Sequence, residues 1–257
     1  MNYIIGKTGF LTQALLHYKP DSFKSNHCFS FRSNHDSLID KLINDPSPTL
    51  LFAAWPTNLP YDDIGHIDFW LYNVQPFLVK VVSLIPNIRL ITFGTCLEYG
   101  LYEGGLHEHL LCAPCTKLGT AKLMMLAKCL EFKLKYYFHL RIFYPYSFQK
   151  PRSNTFLYYL KQAVDSNLES FEMSKGTQMR DFFDLDYFSN KISRVLQLSS
   201  EEFNIANIGT GMPISCITLA HQYLAYRGYK LRLDLGKVPV PWYEPDNFYS
   251  NSLLHKL

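Results

Sequence analysis

The chain has 257 residues, of which 47% are hydrophobic and 18% charged, enough to bury the core of one compact unit with a small appended lobe. Its formal charge of +3 comes without any basic stripe interleaved with aromatics, which argues against nucleic acid as a partner. No apolar run reaches bilayer-spanning length, so no membrane association is expected. The N-terminus enters a strand pattern at Tyr3 in place of a signal-peptide pattern, and the six cysteines are scattered, so a cytoplasmic protein with reduced thiols is expected. Cys112 and Cys115 are interrupted by Pro114 with no second ligand pair, and His107-Glu108-His109 lacks the helical spacing of a metalloprotease; no metal is expected.

In chain order, residues 3–5 read as a short apolar strand and 10–18 as a helix, with the Gly6-to-Gly9 turn between them. A second strand follows at 28–31, a helix at 37–44, a strand at 49–55, a helix at 70–84, a strand at 89–93, a long helix at 114–135 and a strand at 138–143. This alternation predicts an α/β fold with a doubly wound parallel sheet. From about residue 148 the pattern changes to helices and short strands joined by polar loops. The expected division is therefore a Rossmann-type dinucleotide-binding domain over 1–147 and, over 148–257, mainly a small discontinuous substrate lobe with parts that return to the first domain. Aromatic residues make up 16% of the chain and cluster in its second half, where core packing accounts for most of them.

A glycine turn between strand and helix places backbone N–H groups and the helix dipole where a pyrophosphate can meet them, so Gly6, Thr8, Gly9, Phe10 and Leu11 are candidate cofactor contacts. Thr12 occupies the position of the third glycine in that pattern. The second strand ends Ser30-Phe31-Arg32-Ser33-Asn34, without the acid that holds a ribose diol. Arg32 and Ser33 are candidates for a 2′-phosphate, which favours NADP(H) over NAD.

The segment Pro114-Cys115-Thr116-Lys117-Leu118-Gly119-Thr120-Ala121-Lys122 resembles the P-x-S-x-Y-G-x-S-K segment of the extended short-chain dehydrogenase/reductases. That family oxidises, reduces, epimerises and dehydrates nucleotide-linked sugars. The resemblance continues in order along the chain, through the opening Tyr3-to-Thr12 stretch, Leu51-Phe52-Ala53-Ala54-Trp55, Asn73 and Phe93-Gly94-Thr95-Cys96-Leu97-Glu98-Tyr99-Gly100. Farther on, Arg141-Ile142-Phe143-Tyr144-Pro145-Tyr146 resembles R-x-x-N-x-Y-G, Gln178-Met179-Arg180-Asp181-Phe182-Phe183 resembles Q-x-R-D-F-x, and the stretch from Phe203 to Gly211 resembles Y-N-I-G-x-G. The interval between the second and third strands is shorter than the family norm, so one helix or strand is expected to be missing.

The resemblance implies that Lys122 binds the nicotinamide ribose, that Thr95 bonds the substrate oxygen, that Ala53 and Ala54 line the cofactor groove, and that Arg180 contacts the diphosphate of a nucleotide sugar. The family's proton-exchanging tyrosine falls at Leu118, which cannot perform that chemistry. Three alternatives stand: a substitute acid, with Tyr144 foremost among Tyr146, Cys96, Cys115, Glu108 and His109; a relay from Thr95 through water; or a binding protein without catalysis. Dehydration is disfavoured, because Cys96-Leu97 replaces the family's Asp-Glu pair. The expected reaction is reduction of a 4-keto nucleotide sugar, with epimerisation or non-catalytic sugar-nucleotide binding as alternatives. Helices 70–84 and 114–135 correspond to those that pair relatives into homodimers, and a homodimer is expected.

Overall fold

The structure is a computed structural model in which residues 1–32, 35–198 and 204–252 are described. The first half contains, in chain order, β1 (Asn2–Ile5), α1 (Phe10–Tyr18), β2 (Cys28–Phe29), α2 (Asp36–Ile43), β3 (Thr49–Phe52), α3 (Gly65–Phe69), α4 (Gln75–Leu84), β4 (Arg89–Thr95), β5 (Gly104–Leu106), α5 (Lys117–Glu131), β6 (Tyr136–Ile142) and β7 (Tyr144–Tyr146). The second half contains α6 (Phe156–Asp165), β8 (Ser170–Met173), β9 (Met179–Arg180), β10 (Phe182–Asp184), α7 (Leu185–Val195), β11 (Ile205–Ile208), β12 (Ile214–Ser215), α8 (Cys216–Arg227), β13 (Arg232–Leu235) and β14 (Asn247–Ser250).

A six-stranded parallel sheet runs in the order β11-β6-β4-β3-β1-β2. Its inner strands are mostly apolar because helices cover both faces, with Thr92, His139 and Arg141 as buried polar exceptions on β4 and β6. On one face Ile4, Leu51, Ile91 and Leu140 share a core with Leu15 of α1 and Phe188 and Ile192 of α7. On the other, Ile5, Leu50, Phe52 and Leu90 meet Trp70, Leu78 and Met125. Strand order reverses between β1 and β3, which opens a crevice at their C-terminal ends, the position where sheets of this kind take ligands.

The second half returns to this sheet through β11, which pairs with β6, and through α7, which packs against α1. Its remaining strands, joined by β5 and β7 of the first half, form smaller sheets (β12-β9-β14-β5, β10-β7 and β13-β8), and a separate apolar cluster that includes Leu160, Leu219 and Tyr223 holds α6 and α8 together. Among the described residues no helix is long and apolar enough to cross a membrane.

Element boundaries differ from the sequence pattern for identifiable reasons. The helix read at 70–84 begins five residues earlier and passes through a π-turn at Trp70–Val74 before α4. Pro76, in the first turn of α4, has no N–H to continue an ordinary α-helical ladder. The helix read at 114–135 is confined to Lys117–Glu131. Thr116 caps its start by accepting the Gly119 N–H at 3.1 Å, and Lys133 closes its end at φ +51°. β2 stops at Phe29, whose carbonyl accepts the N–H groups of Gly6 and Lys7 at 2.8 and 3.0 Å. β2 is the edge of the sheet, and among the described residues only α2 separates it from β3.

Candidate active site

A cleft of about 1800 Å³ runs from the glycine turn, past the ends of β1, β3 and β4, into the second half of the chain. Gly6, Thr8, Gly9, Phe10, Leu11, Arg32, Ala53, Ala54, Thr95, Lys122 and Tyr144 all line it. Ser33 lies outside the described residues. Arg180 is not among the lining residues.

At one end, Gly6 adopts φ +112°, and a Cβ there would sit 2.7 Å from the Ala53 carbonyl carbon. Only glycine lets the turn after β1 press against the backbone after β3. Gly9 caps α1 without a side-chain hydrogen bond, and the first turn of α1 has no acidic residue, so its N–H groups and dipole face the cleft without a competing anion. Thr12, at the third-glycine position, is wholly buried, and its hydroxyl oxygen has no partner. Arg32 is exposed where β2 has turned away, beside the same end of the cleft.

Midway along the cleft, Thr95 ends β4. Its amide donates to Glu98 Oε1 at 2.9 Å, and its Oγ1 accepts the Leu97 N–H at 3.3 Å, a reciprocal cap on the short turn Cys96–Tyr99. Glu98 is fully buried and also meets His139 Nε2 at 3.0 Å and Arg141 Nε at 2.8 Å. Burial alone would raise its carboxyl; His139 and Arg141 outweigh that and hold it at about 2. Arg141 reaches on to the Tyr99 hydroxyl at 3.0 Å, and Tyr99 donates to Asn207 Oδ1 at 2.8 Å. The floor under Thr95 is thus one buried polar network tied to β4, β6 and β11.

Lys122 projects from α5 onto this floor. Its Nζ donates to the Phe93 carbonyl at 2.7 Å and lies 3.7 Å from the centre of the Trp55 ring. Burial pushes its ammonium down to about 7, with Glu98 pulling upward and Arg152 adding to the fall. The Trp55 indole is fixed by donating to His66 Nδ1 at 3.2 Å, and His66 Nε2 lies 3.0 Å from the Pro60 carbonyl. Gly119 lets α5 approach this closely, since a Cβ there would meet the Leu97 carbonyl oxygen at 2.5 Å. Leu118 and Lys122, one turn apart, both face the cleft.

The other candidates for a substitute acid separate clearly. Glu108 is buried away from the cleft, accepting the Asn207 N–H at 2.8 Å and the Ser252 hydroxyl at 2.7 Å. His109 is exposed, and neither it nor Cys115 nor Tyr146 lines the cleft. Cys96 does, but burial pushes its thiol up to about 12, so it stays protonated. Tyr144 contributes to the wall, yet its hydroxyl oxygen is enclosed without a hydrogen-bond partner, and burial raises its pKa well above the phenol range.

Arg180 is buried beside the cleft, with Nη2 on Glu244 Oε2 at 2.9 Å, Nη1 on the Met179 carbonyl at 2.8 Å and an unpartnered Nε. The adjacent Asp181 accepts from the Thr210 and Gly211 amides and from Ser250 N–H at 2.7–2.9 Å, which joins the two downstream motif stretches into one corner. Trp55, Tyr61, His66 and Arg152 were not singled out as site residues by sequence reasoning. Apart from Trp55, at the end of a motif stretch, they lie in loops or a short helix without any periodic or motif signal.

No family model matches the chain, and no curated protein matches it. Solved structures do. MoeE5 in complex with UDP-glucuronic acid and NAD is 19% identical over 99% of this chain and 91% of its own, with a TM-score of 0.78. The UDP-glucuronic acid 4-epimerase from Bacillus cereus, in complex with UDP-glucuronic acid and NAD, is 18% identical over 98% and 90%, with a TM-score of 0.77. TunA, an NAD-dependent NDP-hexosamine 5,6-dehydratase involved in tunicamycin biosynthesis, is 14% identical over 99% and 90%, with a TM-score of 0.80. The chain thus shares its fold over nearly its whole length with these solved structures, and its six-stranded sheet has the Rossmann strand order.

Proposed function

We propose that the protein is an NAD(P)-dependent oxidoreductase of nucleotide-linked sugars, acting by reduction of a 4-keto sugar. The observation that carries this reading is that Lys122 and Thr95 share one wall of a cleft that begins at the glycine turn. The residues fit a dinucleotide: Gly6 is a cradle that a Cβ would fill, and the start of α1 has neither acid nor capping side chain. When bound, a reduced nicotinamide would supply hydride to the sugar carbon. The turn from Gly6 to Leu11 would hold the pyrophosphate, Ala53 and Ala54 the adjoining groove, and Lys122 the ribose. Thr95, held by Glu98, would orient the substrate carbonyl. Residues 1–147 would then serve mainly the cofactor and 148–257 mainly the sugar nucleotide. Arg180 would reach its diphosphate once the pair with Glu244 opens.

Arg32 at the cleft, with no acid at the end of β2, supports a preference for NADP(H). Calorimetric titration is expected to show tighter binding of NADPH than NADH, and Arg32→Ala to narrow the ratio by about tenfold, the range of one charge-assisted contact. Tighter binding of NADH would overturn the preference, and binding of neither would overturn the oxidoreductase reading.

Leu118 supports a second reading, a sugar-nucleotide-binding protein without turnover. Its mark would be binding of both ligands with no reaction beyond that of Lys122→Ala. The same reading of the fold extends to a cytoplasmic homodimer. Leu71, Tyr72, Val79, Leu84 and Leu130 are exposed on the two helical segments that would pair, whereas Met125 and Leu126 are taken up by the core. Light scattering at micromolar concentration should give twice the 29.9 kDa chain mass, and a monomer mass would contradict the dimer.

A further inference from the structure

We infer that Tyr61 supplies the hydroxyl that position 118 lacks and donates the proton to the substrate oxygen beside Thr95. The inference rests on the oxidoreductase reading of the cleft and goes beyond it by naming a residue from a different element of the fold.

Tyr61 lies in the loop between β3 and α3, and its carbonyl accepts the Leu118 N–H at 2.9 Å. The loop is thereby sewn to the first turn of α5, next to the side chain that replaces the usual tyrosine. Tyr61, Leu118, Lys122, Thr95 and Cys96 line the same cleft. The Tyr61 ring is held against Tyr243, with centroids 5.9 Å apart and planes at 60°. Cys96, in the same lining, follows Thr95 directly at the end of β4.

The competing phenol is Tyr144, which feels Cys96, Glu244 and Arg180. The two differ in access. The Tyr144 oxygen is sealed and unpartnered, so neither a substrate oxygen nor a water can reach it without rearrangement. Tyr61 is half-buried, its oxygen is not sealed, and among the described residues it has no hydrogen-bond partner. A hydroxyl with no competing hydrogen bond is what a general acid requires.

The step balances as follows. The Tyr61 O–H bond breaks and its proton passes to the carbonyl oxygen, while the carbonyl carbon receives hydride from the reduced nicotinamide dinucleotide. The C=O group becomes CH–OH, and the tyrosinate recovers a proton from water in the open cleft. Burial keeps the Tyr61 phenol protonated beforehand, and Arg152, whose buried Nε has no partner, opposes that rise and is the cation available to the tyrosinate. Arg152 takes the part that a lysine plays toward a tyrosine at position 118.

The test compares NADPH oxidation by wild type, Tyr61→Phe, Tyr144→Phe and Tyr61→Phe/Leu118→Tyr, with UDP- and dTDP-linked 4-keto-6-deoxyhexoses as probes. Tyr61→Phe keeps the ring that packs on Tyr243, and its NADPH affinity, measured by titration, reports that the cleft is intact. The expected result is a loss in kcat on the order of a hundredfold in Tyr61→Phe with NADPH affinity unchanged. Tyr144→Phe should lose only a few-fold, and the double variant should recover on the order of tenfold. Turnover in Tyr61→Phe close to wild type, or a larger loss in Tyr144→Phe, would overturn the assignment while leaving the oxidoreductase reading in place. Wild type no faster than Lys122→Ala would overturn that reading, and the assignment with it.

Discussion

Glu98→Ala is expected to lower the free energy of unfolding by about 3–5 kcal/mol, the cost of leaving a buried cation without its partner. The carboxylate is the common acceptor for His139, Arg141 and the Thr95 amide, and all of these contacts are lost together. In a chain of this size each kcal/mol shifts the melting temperature by roughly 2–4 °C, so thermal unfolding should show the change plainly. The same group sets an acid limit. Its folded-state pKa, about 2, is depressed from the ordinary 4.5, so its contribution to stability is present above the ordinary value and is lost as pH falls from there through about 2. Wild type should lose stability across that window more steeply than Glu98→Ala. Parallel pH profiles for the two proteins would show that the pair does not behave as the geometry implies.

Gly119→Ala is expected to cost turnover on the order of a hundredfold. The added methyl would sit 2.5 Å from the Leu97 carbonyl oxygen, so α5 must move away from the turn after β4. Lys122 travels with α5 while Thr95 stays on β4, and misplacement by about 1 Å is enough for a loss of that size. Alanine also suits a helix interior better than glycine by about 1 kcal/mol, so lost helix propensity would not explain the defect. Steady-state kinetics beside thermal melting separates the two causes: a kcat near wild type would mean that the helix position does not govern the chemistry.

Strand and helix alternation predicted the parallel sheet because each central strand is mostly apolar and the covering helices carry apolar stripes. The motif series was legible for a further reason that only the fold exposes. Residues far apart in sequence are hydrogen-bond partners: Glu98 binds Arg141, Tyr99 binds Asn207, and Asp181 gathers Thr210, Gly211 and Ser250. Helix boundaries were less legible, because they depend on single capping and breaking residues such as Thr116, Pro76 and Lys133. The parts of the site that the sequence hid are supplied by loops. Tyr61 and Arg152 reach the cleft through the path of the chain, which no periodicity records, and the Trp55–His66 bond that fixes the wall over Lys122 joins residues with no helical or strand spacing. Arg180 shows the converse: a motif residue whose guanidinium is committed to Glu244 and backbone carbonyls in this structure.

The most direct test of the central claim is a single-turnover measurement with enzyme in excess over a 4-keto nucleotide sugar, NADPH absorbance and the sugar product being followed together. The account predicts oxidation of one NADPH for each sugar reduced, at a rate well above that of Lys122→Ala. NADPH and sugar both bound, yet unchanged over the same period, would contradict it.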